Sequence, residues 1–520
     1  MIELSKVSSH LAKSIPRLLT QLCRDEDSPL YGCFDRHYWH YKMRDFPSMV
    51  LQQPVCVLDL ISRQELILPN VDISPEKASE WMHTALRFWA KSQRKNGSFD
   101  EYYPFESGFP PTAFSLYSTA LVARHNEVDD EVKQAMEKAA AFLLQTPEKQ
   151  AYNQEIVALT GCSLTQSLGI PVDNLKLESR WDEVFENQSQ EGWFNEYDGA
   201  DTGYLSVTCD ALYDYYQIGY DQRAKKAASM AANYIYHFLT IADNIPAMIN
   251  SRNTDYILPY GLSRFGSEDR FASSIVKSQI LGIEKPQHYL HHIDDRYLTH
   301  YVYVSWFRAL SHFEKLSDDD PVPTTGAKWF PEARVFILHK PDEWSLHVAA
   351  GKGGVALKTF KDGAMVGNLG WRGILKKNQI TCSHWQEPHT DVSFEFVDGE
   401  YRIKAIMPLM KHRHFVPSVL KHMILRILSR TIGKKLIPIL KKMLIFRKVE
   451  ISGNFERMIT IRDSKVKILD RFNGMPSIKW KKSGWSSMRH VSSAGSFSFA
   501  EATNLSSTKD FSIETENIDE

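Results

Sequence analysis

Residues Gln93 to Tyr102 read QRKNGSFDEY and residues Gln188 to Tyr197 read QSQEGWFNEY, so one ten-residue phrase, Q-x-x-x-G-[SW]-F-[DN]-E-Y, stands twice at a spacing of 95 residues. A glycine at its fifth position lets the backbone turn sharply, and the aromatics after it pack on neighbouring helices. The carboxylates that close each copy then fall on a loop rather than inside a helix. Each copy leads into an apolar helical stretch, TAFSLYSTALVAR or YLSVTCDALYDYY, in which Ser115 precedes Ala120 and Leu121 as Ser206 precedes Ala211 and Leu212. Repetition of this kind points to stacked helical hairpins, a solenoid or a closed α/α toroid. Two such loops on one rim would make an acidic, aromatic cleft facing whatever packs on that rim. Asp100, Glu101, Trp193, Glu196 and Tyr197 are its candidate substrate-binding residues.

The rest of the chain sorts by period. From about residue 75 to 315, stretches such as EKASEWMHTALRFWAKSQRK and QRAKKAASMAANYIYHFLT repeat near 3.6 and are separated by Gly-, Pro- and Asp-rich loops. SDDDPVPTTGAK then breaks the pattern and reads as a linker. Beyond it RVFILHK, WSLHVAAG, VALKTF, VSFEFVDGEYRIKAIM, RMITIRD and VKILDRFNG alternate with period two. The expected fold is α+β multidomain: an N-terminal helical-repeat domain over residues 1–320, a solenoid or an (α/α) toroid, and a C-terminal antiparallel β-sandwich over 321–520.

Residues 411–449 interrupt the strands with eleven Lys or Arg and no Asp or Glu among many Ile, Leu and Met. That composition fits a basic helical insertion packed on its own domain. It equally suits an interfacial helix on an anionic membrane, with Lys434, Lys435, Lys441 and Lys442 as candidate contacts, or a protein or polyanion partner.

Elsewhere a net charge of −1 with 43% hydrophobic residues describes a globular protein and offers nothing to nucleic acid. Six scattered cysteines without a C-x-x-C pair argue against a zinc site or a disulfide framework. The pattern names no cofactor and no metal. MIELSKVSSHLAKSIPRLL has no uninterrupted apolar core followed by a cleavage site, so a cytoplasmic protein is expected, peripheral to the inner face of the membrane if 411–449 binds lipid.

The phrase HTDVSFEF, from His389 to Phe396, resembles the β-domain signature of heparinase II/III-like polysaccharide lyases, a His-x-His-x-Asp run leading into a strand. His389 and Asp391 match its second His and its Asp; Glu387 stands at the first His, and one residue is missing before Ser393. YGCFDRHYWHYKMRDF, NGSFDEYYPFE, SRNTDYILPYG and DDRYLTHYVY are similar to the cytoplasmic, capsule-cluster type of these proteins. The resemblance implies a toroid plus sandwich. It also implies an acidic, uronic-acid-containing surface polysaccharide, or its lipid-linked precursor, as substrate, and cleavage by β-elimination in capsule or O-antigen biosynthesis.

Such cleavage requires neutralisation of the sugar carboxylate, a base for the α-proton and an acid for the departing oxygen. Arg252, Asn253 and Tyr256 sit together in one polar loop, Tyr204 follows the second repeat in DGADTGY, and His389 lies in the signature; these five are the candidate catalytic residues. Two other readings compete. Asp100, Glu101 and Glu196 suit the paired carboxylates of a glycoside hydrolase, although the equivalent repeat positions of Glu101 and Glu196 also suit a purely structural job. Loss of the signature's first His suits a non-catalytic saccharide-binding or assembly protein. Q-x-x-x-G-x-[FW] is also similar to the terpene cyclase repeat, but the aspartate triplet Asp318 to Asp320 lies in the linker.

Overall fold

A computed structural model describes residues 4–286, 288–317, 325–376, 379–413, 416, 418–441, 449–463, 465–474, 478–484 and 511–517. Its helices are α1 (Leu4–Leu19), α2 (Arg36–Trp39), α3 (Val55–Ser62), α4 (Pro75–Lys91), α5 (Phe109–Ala123), α6 (Asp130–Gln145), α7 (Tyr152–Ser167) and α8 (Asn174–Glu186). They continue as α9 (Thr202–Gly219), α10 (Gln222–His237), α11 (Tyr260–Phe265), α12 (Arg270–Gly282), α13 (Asp295–Leu298), α14 (Tyr301–Ala309) and, far downstream, α15 (Val419–Lys441).

Six of these close an inner ring, since α3 packs on α5, α5 on α7, α7 on α9, α9 on α11, α11 on α14 and α14 back on α3. Sequence sorts the layers. The inner helix α7 buries almost every residue from Tyr152 to Thr165, whereas the outer helix α6 buries Val132, Ala135, Met136, Ala139 and Leu143 at helical spacing and turns its Lys and Glu to water. Across the ring, Arg308 of α14 donates two 2.8 Å hydrogen bonds to Asp214 of α9 and lies 3.6 Å over the Tyr260 ring.

The repeated phrase performs the same task twice. Gln93 Nε2 donates to Gly97 O (3.1 Å) and to Ala135 O of α6 (2.6 Å), and Gln188 Nε2 donates to Gly192 O (2.9 Å) and to Ala227 O of α10 (2.9 Å). Both glycines hold positive φ, +86° and +105°. A β-carbon there would lie 2.1 Å from Lys138 O and 2.2 Å from Met230 O, so each loop rests on the next outer helix where only glycine fits.

The strands form two sheets. The first runs β1 (Gly326–Phe330), β2 (Val335–Lys340), β3 (Trp344–Ala349), β4 (Val355–Phe360) and β5 (Met365–Asn368), antiparallel in chain order. The second takes β6 (Trp371–Lys376), β7 (Gln379–Cys382), β8 (Asp391–Val397), β9 (Glu400–Arg413), β10 (Val449–Arg462), β11 (Lys465–Asn473), β12 (Lys479–Lys482) and β13 (Phe511–Asn517). All pairs are antiparallel except β11 with β13, which is parallel and departs from the expected all-antiparallel pattern.

Strand alternation places the first sheet between two cores. Phe336, Leu346, Val348 and Ala356 face Ile403, Ile459, Ile461 and Ile468 of the second sheet, while Val335, Ile337, Ala349, Val355 and Leu357 join the helical core. Among the described residues of the basic insertion between β9 and β10, Val419–Lys441 form one helix, α15. Its Arg426 pairs with Asp45 of the helical half at 2.7 and 3.0 Å. Lys434, Lys435 and Lys441 lie along it, Lys442 falls outside the described residues, and so does the Asp318 to Asp320 linker.

Candidate active site

The loops that precede α5, α7 and α9 gather at one end of the ring. Ala151 pairs with Glu196 as an isolated bridge, Tyr197 N donates to Gln150 O at 2.8 Å, and Tyr152 N to Asn195 O at 3.1 Å. The second repeat loop reaches the sheet: Glu191 accepts from the backbone of Glu332 (2.8 Å) and Ala333 (3.0 Å), and Trp193 Nε1 donates back to Glu191 at 2.9 Å. Gln386, just before the signature, donates to Asp198 O at 3.0 Å. The first repeat loop meets α15 instead, with Arg430 lying 5.5 Å over the Phe105 ring.

Tyr204 enters this space from the first turn of α9. Asp201 caps that helix by accepting the Tyr204 N–H at 3.0 Å, and it also accepts Arg252 N (3.0 Å) and the Thr254 hydroxyl. One buried carboxylate thereby welds the start of α9 to the loop that carries Arg252 and Asn253. Burial raises the Asp201 carboxyl, while these hydrogen bonds oppose the shift. Gly203 permits the approach, because a β-carbon there would stand 2.3 Å from Thr254 Oγ1.

A cluster of phenols lies behind Tyr204. Tyr256 and Tyr301 share a 2.7 Å hydroxyl contact, the Tyr301 hydroxyl is also hydrogen-bonded to Tyr204, and the Tyr204 and Tyr256 rings meet edge-on with centroids 6.1 Å apart. Tyr297 stacks at 6.1 Å on His300, whose Nδ1 contacts Gln53 Nε2 at 2.7 Å. Tyr256, Tyr297, Tyr301 and His300 are buried, and Tyr204 is half-buried at the outer end of the series. Burial pushes the phenols of Tyr256, Tyr297 and Tyr301 well up and the His300 imidazole well down, so all four are neutral at pH 7.

The neighbouring charges are committed. Arg296 of α13 pairs with Glu101 and donates to the Tyr102 hydroxyl at 3.0 Å. Asp100 accepts from Phe105 N (2.9 Å), Ser107 N (3.2 Å) and Arg94 Nε (2.7 Å), closing its own turn. Glu106 accepts the backbone N–H groups of 101, 102 and 103; burial and the Glu101 carboxylate raise it to about 7. Glu196 is 2% exposed, receives the Asn153 amide, and is pushed well above the usual carboxylate range by burial.

Arg252 stacks its guanidinium 4.5 Å over the Tyr197 ring. Asn253 is buried at φ +56°, and its Oδ1 accepts from Lys352, which also donates to Met248 O (2.7 Å) and Asn250 O (2.8 Å). Lys352 belongs to the turn after β3, so a side chain from the sheet sets an amide in the helical loop. Burial draws the Lys352 ammonium down to about 7, against the pull of Asp201.

Tyr204, Tyr256, Arg252, Asn253, Tyr197 and Glu196 therefore share one neighbourhood. His389 is exposed in a turn that Arg334 braces by donating to the carbonyls of Glu387, Pro388 and Thr390 at 3.1–3.2 Å. Arg296, Tyr297, His300, Tyr301 and Lys352 were not singled out in the sequence. The first four lie in DDRYLTHYVY, whose density of aromatic and titratable residues was the available signal, while Lys352 had none. Among the described residues no three His, Cys, Asp or Glu side chains converge as a metal site would require.

No protein-family model matches this sequence. No curated protein matches it either. Among solved structures the chain is similar to the crystal structure of heparinase III, at 9% identity and a TM-score of 0.40, over 89% of this chain and 74% of that one. At that score the likeness carries no argument about chemistry, and the toroid-plus-sandwich architecture stands on the helix ring and the paired sheets themselves.

Proposed function

We propose that this protein is a carbohydrate-active enzyme of the heparinase II/III-like, capsule-cluster type that cleaves an acidic, uronic-acid-containing surface polysaccharide or its precursor by β-elimination. In this reading residues 1–320 and 321–520 form two units, and the substrate lies at their join on the inner face of the cytoplasmic membrane. Arg252 and the amide of Asn253 neutralise the sugar carboxylate, which acidifies the adjacent C–H. Tyr204, acting as the phenolate, takes that C–H proton, the C–H electrons form the new C=C bond, the C–O bond to the neighbouring sugar breaks, and the Tyr204 phenol so formed returns the proton to the departing oxygen. Tyr301 and Tyr256 extend the hydroxyl series behind Tyr204.

The observation that carries this reading is the half-buried Tyr204 phenol at the end of a hydrogen-bonded run of neutral phenols, on a helix start welded to the Arg252–Asn253 loop. The paired-carboxylate reading has less support, because Glu101 is engaged by Arg296 and Glu196 is buried against Asn153. The test is incubation with uronic-acid polysaccharides. Rising ultraviolet absorbance from an unsaturated product supports the lyase, reducing ends without that chromophore indicate a hydrolase, and binding without turnover indicates a non-catalytic saccharide-binding protein.

A further inference from the structure

Helix α15 leaves one long apolar face uncovered. Leu420, Met423, Ile424, Ile427 and Leu428 fall at i, i+3, i+4, i+7 and i+8, on a single side of the helix, and are 67, 57, 48, 63 and 39% exposed. The opposite side carries the buried Ser429 and Leu436. Exposed Lys421 and Arg426 lie on either flank of the stripe, and the helix holds six Lys or Arg with no Asp or Glu over its 23 residues.

A second segment continues the surface. Asp45, which grips Arg426, ends the phrase RHYWHYKMRD, in which Tyr41, Lys42 and Met43 are exposed and Arg36 lies 5.2 Å over the Tyr41 ring. This loop, with its basic and aromatic side chains, thus meets α15 at the Arg426 flank of the apolar stripe. Apolar surface of this extent marks a docking site, since each buried Å² returns about 25 cal/mol.

The chemistry selects the occupant. It must accept aliphatic and aromatic side chains over a shallow surface and carry negative charge beside them. A second copy of this chain would set two acid-free cationic helices against each other. No described helix is long and apolar enough to cross a membrane, so α15 can lie on a bilayer but not span one.

We infer that α15 and the Tyr41–Met43 loop form an interfacial docking surface for an anionic lipid bilayer. The same helix rests on the first repeat loop through Arg430 and Phe105, so docking holds the rim that carries Tyr102 and Arg296 beside the lipid. Resting on the reading of the cleft given above, the substrate is then an acidic glycan still attached to its lipid anchor. The docking itself does not depend on that reading.

The test is flotation of the full-length protein with phosphatidylcholine vesicles and with vesicles in which about a third of the lipid is phosphatidylglycerol. Binding is expected only to the anionic vesicles, and it should weaken as the screening length falls from ~10 Å at 0.1 M salt to ~3 Å at 1 M. Leu420→Asp/Ile424→Asp/Ile427→Asp should lower the bound fraction at least about tenfold without changing the melting temperature or turnover of a soluble glycan. Met43→Asp alone should give a smaller loss. Equal binding to both vesicle types, binding to neither, or wild-type binding by the triple variant overturns the inference. So does a dimer that the triple variant abolishes, or capture by heparin or RNA without vesicle binding. If the protein docks but a lipid-anchored acidic glycan is turned over no faster than the soluble one, the orientation fails and the docking stands. If no glycan is turned over at all, the proposed function fails and the docking again stands.

Discussion

Lys352 Nζ donates to the side-chain carbonyl of Asn253, so a buried lysine from the turn after β3 fixes an amide on the helical rim. That bond couples the way the sheet seats on the ring to the geometry of the candidate carboxylate-binding loop. Lys352→Met would leave Met248 O, Asn250 O and Asn253 Oδ1 without this donor, at a cost of about 2–4 kcal/mol. Chemical denaturation should show the loss, and turnover should fall at least about tenfold with Asn253 unheld. A stability loss with wild-type turnover would restrict Lys352 to holding the interface.

Tyr204→Phe removes one hydroxyl from a half-buried ring and should lower turnover by about 10²-fold, the usual scale for a proton-transfer group, with the melting temperature unchanged. His389→Ala, at an exposed turn, is the contrasting variant. A larger loss in His389→Ala than in Tyr204→Phe would move proton transfer from the phenol cluster to the signature segment.

Gly97→Ala and Gly192→Ala should each destabilise the fold by about 3 kcal/mol, since both combine a positive φ with a β-carbon 2.1 or 2.2 Å from a helix carbonyl oxygen. Gly169→Ala is the control, because its φ is also positive but nothing lies within 4 Å of the added carbon. Equal effects at all three positions would show that backbone strain, and not the close approach to the outer helix, sets the cost.

Glu106 gives a pH signature. Its folded pKa of about 7 lies above the ordinary carboxylate value of 4.5, so the native state holds the proton more tightly than the unfolded chain. Its contribution to stability is fully present below about 4.5 and is lost as pH rises through about 7. The melting temperature of the wild type relative to Glu106→Gln should therefore fall between those limits. A flat difference across that window would refute the assignment.

The sequence by itself determined the layers and the repeat. A period of 3.6 giving way to a period of two follows from which faces must be buried, and such patterning is local. The paired phrases 93–102 and 188–197 likewise announced two equivalent loops, because each needs its glutamine and glycine to sit on the following outer helix whatever surrounds it. Tyr204, Arg252, Asn253 and Tyr256 were legible as polar or aromatic residues placed in loops or at a helix start. Only the tertiary structure decided their partners. Closing the helix ring brings α13 and α14 to the rim with Arg296, Tyr297, His300 and Tyr301, and seating the first sheet on the helices delivers Lys352 to Asn253 across 99 positions of chain. Contacts of that range depend on how whole layers pack, which no local pattern encodes. The burial that leaves Tyr204 half-exposed and its neighbours inside is set by the same packing.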